Sequence, residues 1–125
     1  MKTTIYSQHH EHNEWLNKLS FYNDEITIMQ NRLDEVSTKN NSDEVRKGIE
    51  HFQNQVIIQK DNADKLKHHI KREEREIQEI INKNPVASDH RSAEDHSEER
   101  GMIEHFENNF NSLRKEYNTF LSKWM

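Results

Sequence analysis

Nine histidines and 23 acidic residues carry most of the chemistry available to this chain, which has no cysteine and so no thiolate nucleophile or ligand. Two spacings stand out. His69 and Glu73 are four residues apart, and His96 and Glu99 three apart, so on helices each pair shares a face, as metal ligands in helical bundles do. When the helices are folded together at the register given below, His12 joins them. His12, His69, Glu73, His96 and Glu99 are therefore the candidate ligands for a divalent transition metal, for which imidazole and carboxylate are suitable donors. Against a di-iron centre, no histidine here follows a glutamate by three residues, and there is no H-E-x-x-H. The first expectation for this cluster is a salt-bridged polar bundle end. A metal-binding or pH-responsive end is the alternative.

Other chemistry finds little footing. Two glycines, both within helical stretches, leave no phosphate-cradling loop, and no spacing selects a Ser-His-acid triad, so no enzymatic activity is expected. The basic run Lys65, Lys67, His68, His69, Lys71, Arg72 and Arg75 is followed by Glu73, Glu74, Glu76 and Glu79 in the same segment. The small net field argues against nucleic acid and against an anionic membrane surface. No stretch approaches a membrane span, the first residues lack a signal-peptide core, and the absence of cysteine suits a reducing compartment, so the expected location is cytoplasmic.

These side chains need a scaffold, and the apolar residues specify one. Steps of three and four from Ile5 meet Gln8, His12, Trp15, Leu19, Tyr22, Ile26, Met29, Leu33 and Val36. The same steps from Val45 run through Ile49, Phe52, Val56, Gln59, Ala63, Leu66, Ile70, Glu73, Ile77 and Ile80. A third stripe runs from His96 and Glu99 through Ile103, Phe106, Phe110, Leu113, Tyr117 and Phe120 to Trp124. Such spacing predicts three amphipathic helices, at about 8–39, 42–83 and 89–123, packed with heptad, coiled-coil-like geometry. Net charge is a modest −5, with 23 acids offset by 18 bases, and 125 residues fit a single domain spanning 1–125.

The breaks at 39–44 and 82–89 are short, which makes neighbouring helices antiparallel. Asn41 and Glu44 have capping-box spacing, and Pro85 disfavours helix at Asn84. Folding at the first break pairs position n of the first helix with about 81 minus n of the second. Leu33 then meets Ile49 and Trp124, Met29 meets Phe52 and Phe120, and Trp15 meets Leu66 and Phe106. The fold class is an all-α antiparallel three-helix bundle that resembles spectrin-type modules in outline, a likeness that implies no function.

Three further expectations follow from this register. Tyr22 and Gln59 fall at one level and are expected to form a buried, hydrogen-bonded polar pair that sets register. Ile77, Ile80 and Ile81 project where the first helix runs out, unless residues 1–10 extend it, and are the expected interaction surface for a protein partner or for self-association. The shared I-E-H-F at Ile49–Phe52 and Ile103–Phe106 reads as convergence of two similar seams. Protein–protein interaction or scaffolding is the expected function, with no resident cofactor.

Overall fold

The computed structural model describes residues 2–83, 92–94 and 97–125. It is an all-α three-helix bundle in which α1 (Ile5–Lys39) and α2 (Asp43–Lys83) pack extensively and α3 (Ser97–Trp124) lies against them. Two three-residue strands, β1 (Lys2–Thr4) and β2 (Ser92–Glu94), pair antiparallel, with Lys2 opposite Glu94 and Thr4 opposite Ser92. No helix among the described residues is long and apolar enough to cross a membrane.

Local chemistry explains the helix ends. Thr4 caps α1 by accepting the Ser7 N–H at 3.1 Å, so the helix begins at Ile5, earlier than the apolar stripe alone suggests. At its other end the Asn40 amide donates to the Val36 carbonyl and to the Trp124 carbonyl, tying the first turn of chain to the last residues of α3. Ser42 caps α2 by accepting from the Val45 N–H, so the expected Asn41–Glu44 box is not the device used; Glu44 instead pairs with Lys123 at 2.8 Å. Helix α3 starts at Ser97 and not near residue 89, because residues 92–94 give their backbone hydrogen bonds to β1.

The three stripes form the core. From Ile5 to Val36 every stripe position of α1 is buried except Tyr22, which is half-buried. On α2 Val45 through Ile70 and Ile77 are buried, and on α3 Ile103, Phe106, Phe110, Leu113 and Tyr117 are. Phe110 and Leu33 are fully enclosed, and the small Ala63 leaves room for large neighbours at the same level, the alternation that close packing requires. Gly48 serves the same end: a Cβ there would collide with the Phe120 ring, whereas one at Gly101 meets open space.

Candidate functional site

At the end of the bundle remote from the α1–α2 turn, the seam carries polar side chains where the rest of it is apolar. Gln8 and His12 on α1 are both buried, His12 completely. Facing them on α2 is Glu74, a residue outside the stripe. Its Oε1 accepts from His12 Nδ1 at 2.8 Å and its Oε2 lies 2.5 Å from His9 Nδ1, while the Gln78 amide donates to Oε2 at 3.0 Å. Asn13 Nδ2 approaches His9 Nε2 at 3.4 Å, and the Gln78 amide lies 3.1 Å from His9 Nδ1. Burial pushes the Glu74 carboxyl up, but hydrogen bonds from Gln78, His12 and His9, with the charge of His9, outweigh it and hold the group below its ordinary value.

On the other side of α2, toward α3, His69, Glu73 and Glu99 come together. One donor atom from each lies within 4.8 Å of the others, and all three are half-buried. His69 Nε2 is 3.2 Å from Glu99 Oε1, and the Arg72 guanidinium donates to His69 Nδ1 at 3.1 Å. Next to them Arg100 grips Glu11 with two bonds of 2.9 Å, joining α3 to α1.

The structure therefore divides the five expected ligands. His69, Glu73 and Glu99 converge; His12 belongs to a separate group around Glu74; His96 lies outside the described residues. Glu74 is the functional residue that stripe counting passed over. It sits one position beyond Glu73, and adjacent helical residues point about 100° apart, so the two carboxylates serve opposite neighbours of α2.

Two other expectations are corrected. Gln59 is buried, but its Oε1 has no hydrogen-bond partner among the described residues. Tyr22 turns instead toward Phe106 and Phe110, with ring centroids 5.2 and 4.8 Å away. Burial and the charges of Glu107 and Glu25 raise its phenol against the pull of Arg114, which Glu25 anchors at 2.6 and 2.8 Å. The aromatic cluster and a fixed guanidinium offer Tyr22 more than a lone amide does. The overhang at Ile77, Ile80 and Ile81 is also absent: α1 reaches Ile5, which is buried, Ile77 is buried, and Ile80 and Ile81 are half-buried. Ile77, the anchor of that expected surface, is thus covered within the chain, while Ile80 and Ile81 keep part of their surface.

Apolar side chains do reach solvent elsewhere. Phe21 is 76% exposed and Ile28 53% on α1, and Ile57 and Ile58 are 57% and 49% exposed on α2. Between α2 and α3 a cleft of about 340 Å³ has Leu66 and Phe106 at its floor and Met102, Lys65, His105 and Asn109 around it. Compared with known families, curated proteins and solved structures, the chain matches no family model, no curated protein and no solved structure.

Proposed function

We propose that this chain is a non-enzymatic, cytoplasmic helical bundle that acts in protein–protein interaction or scaffolding, with the α2–α3 cleft as its docking face. The observation that carries this reading is the make-up of that cleft: an apolar floor of Leu66 and Phe106 under a rim of amide, lysine and imidazole groups, with the Met102 thioether 39% exposed at its edge. Ile58 extends the same stripe of α2, since 58, 62 and 65 follow steps of four and three. An apolar floor with a few polar groups at its rim suits an amphipathic helix whose anchors repeat at the same spacing. Methionine favours such a role because its flexible, polarizable side chain adapts to a partner. Phe21, by contrast, stands 76% exposed on α1, and Ile28 lines a cleft between α1 and α3 that Glu25, Arg32 and Arg114 make strongly charged.

A photo-crosslinking residue placed at Met102, with a control at Phe21, tests the reading in purified protein and in the native cell. A discrete protein adduct from Met102 and none from Phe21 is expected. An adduct in purified protein identifies a second copy as the partner, and one found only in the cell identifies a different protein. No adduct from Met102 in either setting overturns the proposal.

A further inference from the structure

We infer that His69, Glu73 and Glu99 bind a divalent transition cation that clamps the first turn of α3 to α2. The three side chains come from two helices and bring one imidazole and two carboxylates to within 4.8 Å of one another. Bonds of about 2.0–2.2 Å around a four-coordinate ion place ligand atoms about 3.3–3.6 Å apart, and His69 Nε2 and Glu99 Oε1, at 3.2 Å, need to part only slightly. Glu73 closes the set with no hydrogen-bond or ion-pair partner among the described residues. A dication suits a half-buried place at which two carboxylates meet an imidazole. The donors are of the kind that zinc, cobalt, manganese and ferrous iron accept, and three protein ligands leave a position for water.

The neighbouring groups sharpen the assignment. Glu74 cannot serve, because its oxygens are engaged by His12, His9 and Gln78. Arg72 is a cation held against the ligand set through its bond to His69 Nδ1. When Nε2 binds a metal, the neutral ring carries its proton on Nδ1, which can no longer accept from a guanidinium. Arg72 is exposed and free to swing into solvent, so metal binding and the Arg72 contact are alternatives. The site lies one helical turn from the cleft, His69 three residues beyond Leu66 and Glu99 three before Met102. An occupied site therefore holds the two helices that form the cleft at a set separation.

The test is titration of the chelator-treated full chain with Co²⁺, followed by visible absorption, and with Zn²⁺, followed by calorimetry and thermal unfolding. One ion per chain is expected, with a rise in Tm. Glu99→Gln should weaken binding by roughly tenfold or more, a loss at least as large as that for disturbed metal-site partners, and Arg72→Gln should tighten it. Glu74→Gln should leave affinity unchanged. Should Glu99→Gln unfold the protein, the Arg72→Gln arm still decides. The proposal is overturned if wild type binds neither ion, or if Glu99→Gln, folded as judged by circular dichroism, binds as tightly as wild type. Binding abolished only by replacing the exposed His10 and His68 would likewise overturn it, as adventitious imidazole binding.

Discussion

The two ends of the bundle are built on the same spacing and held by different physics. At the end that contains the α1–α2 turn, Val36, Val45 and Ile49 pack with Phe120, Leu121 and Trp124 in an apolar layer, to which the Asn40 amide and the Lys123–Glu44 pair add polar ties. At the other end the same seam positions are the buried Gln8 and His12, and His12 Nδ1 is bonded to Glu74, whose carboxylate Gln78 and His9 also hold. An apolar layer needs only neighbours of suitable volume, whereas a buried imidazole needs one particular acceptor in one particular place. The first tolerates small errors of position and the second does not.

The difference between the ends can be broken by substitution. The largest effect is expected at Leu33, which has no exposed surface. Leu33→Ala should lower stability by about 2–5 kcal/mol in denaturant unfolding, the cost of a core cavity. A loss well below that range would mean that the core cluster that holds Leu33, next to the Val36–Val45–Ile49 layer, is not closely packed.

At the polar end, Glu74→Gln should cost about 1–3 kcal/mol, because an amide offers an acceptor to one imidazole and a donor to the other, and leaves a buried group unmatched. Its pH signature is more specific. The Glu74 carboxyl lies lower in the folded chain than its ordinary value of 4.5, so its contribution is fully present above that pH and is lost as pH falls below it. Wild-type stability should therefore decline on acidification below about 4.5 by an increment that Glu74→Gln lacks. Parallel acid profiles for the two proteins would separate Glu74 from His9 and His12.

The glycines carry the comparison into the I-E-H-F echo. Gly48→Ala forces a methyl into the Phe120 ring and should cost about 1–3 kcal/mol. Gly101→Ala meets open space in a helix and should stabilise by up to about 1 kcal/mol. Equal effects at both sites, measured by thermal unfolding, would mean that the two segments are in equivalent surroundings, contrary to the packing seen.

The smallest effect belongs to the middle of the bundle. Gln59→Leu removes a buried carbonyl that has no partner among the described residues, and should leave stability unchanged or raise it by about 1 kcal/mol. A clear loss of Tm would instead give the amide a structural role.

The three helices, their antiparallel order and nearly all of their buried faces follow from the sequence, because apolar spacing is a one-dimensional property and burial of a stripe is its direct consequence. The stripe that runs from Ile5 to Val36 and its match to Val45–Ile77 needed no side-chain detail. The presence of a polar cluster was also readable, since Gln8, His12, Glu73 and Glu99 occupy seam positions. Partnership was not. That His12 bonds Glu74, that Tyr22 leaves Gln59 for Phe106 and Phe110, and that Arg72 rests on His69 depend on side-chain direction and on which of several nearby groups is within about 3 Å. Counting in threes and fours locates a residue to within a helical turn of roughly 5 Å, coarser than a hydrogen bond. The burial of Ile5 and Ile77 was likewise decided in three dimensions, with Thr4 capping α1 so early that the helix begins at Ile5. Spacing sets which face is buried, and only the packed helices set which atom meets which.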